Sequence, residues 1–314
     1  MRSILLFILF LFVPKLAISQ IFENDKIIHL DSTFNETKNK NHPYFRITRD
    51  YKLKKESYVV NDYNLSGVLL MEGTSKNKEY LSKEGEFIYY YENKNKKAIT
   101  NYVKNRPIGK EFKWYENGEK KQEGEYIVEE KKNESEYKVN QFWDINGVQK
   151  VIDGNGDYEE KDKDFLASGK VKNGFKDGVW EGSFNKSKYS YKEVYKEGKF
   201  ISGVSTNTDG ETYTYSELEI KPEHKNGIMD FYKFIAKNYK TPNIQGLKGK
   251  IYITFVVDKD GKIVEPKILR DLGYGTGQEA IRVITGYNGF IPGEQRGRKV
   301  RCTYSLPISI QSAY

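Results

Sequence analysis

A short aromatic pattern that closes on Asn-Gly recurs along this 314-residue chain. It restricts the fold more than any other feature. Three segments carry it best: Gly85 to Asn93, Gly109 to Gly118 and Phe142 to Gly147. Trp114 and Trp143 are offset by the same step as Asn117-Gly118 and Asn146-Gly147. Worn copies follow at Gly169 to Phe184, with Asp177-Gly178-Val179-Trp180, and at Tyr191 to Gly203. Asn-Gly and Asp-Gly tolerate the positive φ angles of a tight hairpin turn, and the aromatic run before each turn supplies a strand. One hairpin cannot bury a face by itself, so successive hairpins must stack. The expected architecture over 61–203 is an elongated antiparallel β-repeat array. The 25 Tyr and 17 Phe of the chain suit such half-buried pleated surfaces.

The first residues set the compartment. Arg2 precedes an unbroken apolar run, Ile4 to Val13, and Ala17-Ile18-Ser19 offers small residues before a cut at Gln20. That is the layout of a secretory signal peptide over 1–19. The run is shorter than the roughly 20 apolar residues of a spanning helix. Left uncleaved, it would act as an anchor instead. Residues 20–60 form a polar N-terminal segment. The net charge of +8 is spread over interleaved Lys and Glu rather than clustered, so no nucleic-acid partner is expected. A single cysteine, Cys302, allows no internal disulfide and no cysteine-based zinc site.

Residues 204–222 are rich in Thr, Ser and Glu and read as a linker, after which the pattern changes. Ile228, Phe231, Phe234, Ile235 and Tyr239 fall at helical spacing, and Thr241-Pro242 closes that helix. Ile251, Ile253, Phe255 and Val257 alternate along a strand, a turn follows at Asp258 to Gly261, and Lys262 to Arg270 returns. Gln278 to Thr285 forms a short helix displaying Ala280, Ile281 and Ile284. Val300 to Ile310 makes the last strand. The order α-β-β-α-β over 223–314 implies an α+β domain with helices on one antiparallel sheet.

Two resemblances arise from these residues. The pattern at 109–118 is similar to a variant of the MORN repeat, a scaffold for protein contacts. The 223–314 segment resembles the C-terminal domain of the TonB family. It does so through Tyr239-x-x-Pro242, then Gly249 to Ile263 with Asp258 and Gly261. Glu279-Ala280, Phe290-x-Pro292-Gly293 and Val300 to Ile308 with Pro307 complete the set. In that family Tyr and Pro are usually adjacent, an acidic residue is common where Gly273 to Gly277 stands here, and a Pro-rich spanning segment precedes the domain. The resemblance implies a non-enzymatic protein of the Gram-negative periplasm and a TonB-dependent outer-membrane receptor, or another envelope protein, as partner. With its signal cleaved, such a chain would be an adaptor rather than an energy transducer. The competing expectation is a scaffold whose repeats bind envelope protein or peptidoglycan.

No residue set argues for chemistry. Gly273-x-Gly275-x-Gly277 lies between a hairpin strand and a helix, outside the parallel unit that a dinucleotide fingerprint needs. Asp153-x-Asn155-x-Asp157 with Asp164 has Tyr158 where a calcium loop needs glycine, and Asp258-x-Asp260 has too few ligands. His29, His42 and His224 have no metal-ligand spacing, and Cys302 has no histidine beside it in sequence. Neither cofactor, metal nor catalytic residue is expected. The candidate site is a strand edge, Arg298, Lys299, Val300, Arg301, Cys302, Thr303 and Tyr304, in which the basic run from Arg296 would draw in an extended acidic or polar peptide. Pro266 cannot donate to a ladder, which places the second strand at the other edge and the first strand in the centre.

Overall fold

The computed structural model describes residues 22–39, 41–129 and 134–312. The expected signal peptide lies outside the described residues. The chain forms two compact units, one running to Tyr158 together with Val171–Phe175, the other made of Glu159–Lys170 and Lys176 onward.

In the first unit ten described strands succeed one another, each antiparallel to its neighbour in sequence, from Lys26–Leu30 to Gln149–Ile152. The array therefore begins at Lys26 and not near Asn61. Its early strands are hard to see because one face mixes residue types: Ile28, Leu30 and Val60 are buried beside the equally buried Arg46, Thr48 and Asp62. Past Lys83 the expected turns form. Gly118 and Gly147 take φ angles of 90° and 77°. Tyr115 N–H donates to the Glu119 carbonyl at 2.8 Å, and Asp144 N–H donates to Val148 at 2.9 Å. The repeat step is also written in hydrogen bonds. Tyr91 Oη donates to the Trp114 carbonyl and Tyr115 Oη to the Trp143 carbonyl, each at 2.9 Å, so the turn tyrosine of one copy clips the strand end of the next. Gly109 has a φ of 63° and open space where a Cβ would stand. The register with Lys96–Val103 slips there, between Thr100 and Asn101, so the bulge requires the left-handed backbone rather than room.

In the second unit, strands Phe175–Phe184, Tyr189–Lys196, Lys199–Asn207 and Thr212–Tyr215 continue this neighbour pairing. The 204–222 segment is thus no simple linker. Asn207 and Gly210 close a hairpin, with Gly210 N–H donating to the Asn207 carbonyl at 3.2 Å, and Tyr215 turns inward on the returning strand. Asp177-Gly178 is not a turn either. Gly178 takes its φ of 72° inside a strand.

The remaining elements are α1 (Ile228–Asn238), β1 (Lys248–Val257), β2 (Ile263–Arg270), α2 (Thr276–Thr285) and β3 (Cys302–Gln311). The sheet order is β2-β1-β3, all antiparallel, with β1 central as expected. Phe231 and Ile235 of α1, Ala280, Val283 and Ile284 of α2, the inward face of β1, and Leu306, Ile308 and Ile310 of β3 form one apolar core. The strand holding Pro266 is the other edge of the sheet, as expected. Pro266 follows Glu265, whose φ is 52°, at a register slip against β1, so a bulge absorbs the missing donor.

Candidate peptide-binding edge

The motif residues of the C-terminal elements act as fasteners. Asp258 accepts from the N–H groups of Asp260 at 2.9 Å and Lys262 at 2.8 Å, which fixes the β1–β2 turn. Gly261, at a φ of 79°, passes so near the Phe290 carbonyl that a Cβ would stand 2.3 Å from its oxygen. Gly249 leaves room for Leu272 in the same way, and Gly293 for the Cys302 sulfur. Tyr239 Oη donates to the Thr276 carbonyl at 3.0 Å, tying the end of α1 to the start of α2. Glu279 accepts from Lys240 N–H at 2.9 Å and from Arg282, whose hydrogen bond holds the carboxyl down to about 2. Ala280 and Phe290 are buried in the core. Pro242 carries the chain away from α1, its carbonyl accepting from Ile244 N–H at 3.0 Å, and Pro292 packs at the close passage beside Gly261.

These fasteners leave one side of β3 bare. Among the described residues the sheet ends at β3. Its register against β1 runs unbroken from Cys302–Val257 to Gln311–Lys248, with Pro307 opposite Tyr252. Proline has no N–H, so an unbroken ladder accommodates Pro307 only with its nitrogen facing away from β1. Backbone groups alternate sides along a strand, so Thr303, Ser305 and Ser309 also aim their N–H and C=O outward. Their side chains are exposed, while Leu306, Ile308 and Ile310 enter the core. Between this edge and α1 lies a groove of about 460 Å³, lined by Tyr232, Ile235, Ala236 and Tyr239 on the helix side and by 306–311 on the strand side.

The structure divides the seven sequence-derived edge residues. Cys302, Thr303 and Tyr304 lie on β3. Arg298 and Lys299 instead form a short separate strand paired with Glu294–Gln295, and Val300 N–H donates to the Gly293 carbonyl. The basic run is largely engaged. Arg296 pairs with Glu193 at 2.7 Å, the Arg298 guanidinium lies 3.4 Å from the Tyr189 ring centroid, and Arg301 pairs with Glu265 at 2.6 Å. Arginine side chains drawn onto the strands at Tyr189 and Glu193 are not available to steer a peptide toward β3. Burial, with Glu219 nearby, pushes the Cys302 thiol up, away from a reactive thiolate.

Sequence reasoning missed the groove and two histidine arrangements. His29 and His42 meet with ring centroids 3.9 Å apart. His224 sits among Phe231, Tyr287, Phe290 and Tyr304. Only strand pairing and core packing bring these residues together, and no spacing could have signalled either. The described residues hold no group of three metal-ligating side chains. The Gly273–Gly277 loop is a tight turn, with Thr276 Oγ1 donating to the Gly273 carbonyl at 2.8 Å.

A three-stranded sheet with helices on one face and a bare terminal strand defines a small α+β domain. Residues 243–309 match the family described as Gram-negative bacterial TonB protein C-terminal, a non-enzymatic energy-transducer domain that acts in the periplasm. Comparison with curated proteins and with solved structures gave no match. No helix among the described residues is long and apolar enough to cross a membrane.

Proposed function

We propose that this chain is a non-enzymatic periplasmic adaptor whose C-terminal elements bind an extended segment of a TonB-dependent outer-membrane transporter, or of a related envelope protein, by adding it as a strand beside β3. The observation that carries this reading is the bare edge. Thr303, Ser305 and Ser309 offer main-chain donors and acceptors in one row, and a groove beside α1 receives alternate side chains of the incoming strand. Affinity then comes from the ladder, and specificity from the groove wall of Tyr232, Ala236 and Tyr239. With Arg296 and Arg298 engaged elsewhere, charge steering is a minor term, and binding depends weakly on salt.

The test is titration of the full chain with periplasm-facing segments of outer-membrane transporters. Ser305→Pro removes one outward donor and leaves the β1 side of the ladder intact. It is expected to stay folded by circular dichroism and to lose binding. Binding of every such segment at wild-type strength by a folded Ser305→Pro variant contradicts the reading.

A further inference from the structure

The first unit holds a cavity of about 450 Å³ that the proposed edge does not use. On its floor Arg46 grips Asp62 through two bonds, Nε to Oδ1 at 2.6 Å and Nη2 to Oδ2 at 2.7 Å, and both residues are buried. The two charges of that pair cancel. Lys83, which also lines the cavity, is different. Its ammonium donates to Tyr89 Oη at 2.7 Å and lies 4.6 Å and 5.2 Å from the ring centroids of Tyr102 and Phe87. Among the described residues no carboxylate stands within ion-pair distance of it, and the cavity's other acid, Glu92, is matched by Lys97 in the same lining. Burial, together with the nearby Arg46, depresses its pKa, and Asp62 offsets this only in part. A half-buried cation with unused donors beside an already neutralised pair favours an incoming anion.

The walls state what the anion is attached to. Phe34 and Tyr44 stack with centroids 4.3 Å apart and planes within 9°, and Tyr89 and Tyr90 also line the space. Aromatic rings bury large apolar area and pair best with other ring surfaces, stacked or edge-on. We infer that the cavity is a binding site for a ring-bearing organic carboxylate, with Lys83 and the spare donors of Arg46 taking the carboxylate and the aromatic wall taking the ring. Such a carboxylate belongs either to an acidic sugar unit or to an aromatic acid. The shared chemistry defines the site, and separate probes tell the sources apart.

The test is calorimetric titration of the full chain with glucuronate and with 4-hydroxyphenylacetate, each against its neutral counterpart, glucose and 4-hydroxyphenylacetamide. One acid is expected to bind at least about tenfold tighter than its neutral partner, and the tighter of the two acids identifies the source. Lys83→Met keeps the apolar stem and removes the charge, so it abolishes that preference, whereas Lys83→Arg retains it. Two results overturn the inference: no acid outbinding its neutral partner on the wild-type chain, or a preference that survives Lys83→Met. Should Lys83→Met fail to fold, the acid-against-neutral comparison on the wild-type chain decides the matter alone.

Discussion

Arg296 and Glu193, 103 residues apart, form an ion pair in which the arginine Nε donates to the glutamate Oε1 at 2.7 Å. The same carboxylate accepts from Tyr215 Oη and Tyr195 Oη, each at 2.8 Å, and Ser205 Oγ donates to the Arg296 carbonyl. One turn of the C-terminal elements is thus sewn to the strands that precede them. Removing one member of a buried pair strands the other charge, which costs roughly 3–5 kcal/mol. Because Arg296 keeps some solvent contact, Arg296→Ala is expected near the lower end, about 3 kcal/mol, in denaturant unfolding. The double variant Glu193→Leu, Arg296→Met should lose much less than the two single losses added together. Strict additivity would show that the pair is not coupled.

That seam bears on where the C-terminal elements can be cut. A fragment beginning at Glu223 keeps the whole apolar core between Phe231 and Ile310. It loses the Glu219–Ile220 pairing with Glu294–Gln295 and the Glu193 contact. We expect the 223–314 fragment to unfold cooperatively but at a lower denaturant midpoint than one beginning before Tyr189. Equal midpoints would mean that the seam contributes nothing.

His224 predicts an acid response. Among the described residues neither of its buried ring nitrogens has a hydrogen-bond partner, and burial pushes the imidazole pKa down, with Asp230 opposing. The unfolded chain therefore binds the proton more readily than the folded one. This contribution is fully favourable above about pH 6.5 and is lost as pH falls through that range. His224→Phe should fill the aromatic nest and flatten the decline of melting temperature between about pH 7 and 5. An unchanged slope in that variant would place the acid sensitivity elsewhere.

The glycines separate two kinds of constraint. Gly109→Ala meets open space and suffers only the left-handed backbone, an expected loss of about 1 kcal/mol. Gly261→Ala adds a collision with the Phe290 carbonyl and should cost well beyond that, on the order of 3 kcal/mol. Thermal unfolding of the two variants checks the order, and a reversed order would refute it.

Much of this fold was legible in the sequence. Asn117-Gly118 and Asn146-Gly147 announced their turns because only a few residues tolerate that backbone. The alternation of Ile251 to Val257 announced a central strand because its inward face is purely apolar. The first strands were hidden by Arg46 and Asp62, buried charges that neutralise one another only after folding. Thr212 to Tyr215 reads as linker in the sequence because composition does not separate a short strand from a loop. The basic run illustrates the harder limit. Arg296 and Arg298 look like a free cationic patch until the fold brings up Glu193 and Tyr189, and no local pattern carries that information.

The edge row can also be completed. Pro307 is the one outward position of β3 without a donor, and proline on a bare edge discourages chance pairing between copies. Pro307→Thr should therefore tighten binding of the partner segment by about 1 kcal/mol, the net worth of one hydrogen bond. It should also raise self-association in sedimentation. Weaker binding by a folded Pro307→Thr variant would argue that the segment does not run along this edge.

The most direct measurement is residue-resolved amide exchange of the full chain with and without a bound transporter segment. Strand addition predicts that Thr303, Ser305 and Ser309, exposed to solvent in the free chain, gain strong protection on binding. Tyr304, Leu306 and Ile308, already bonded to β1, should change little. If binding is measurable but protection rises elsewhere and the three outward amides exchange as fast as before, the segment does not add to β3 and the account of this edge is wrong.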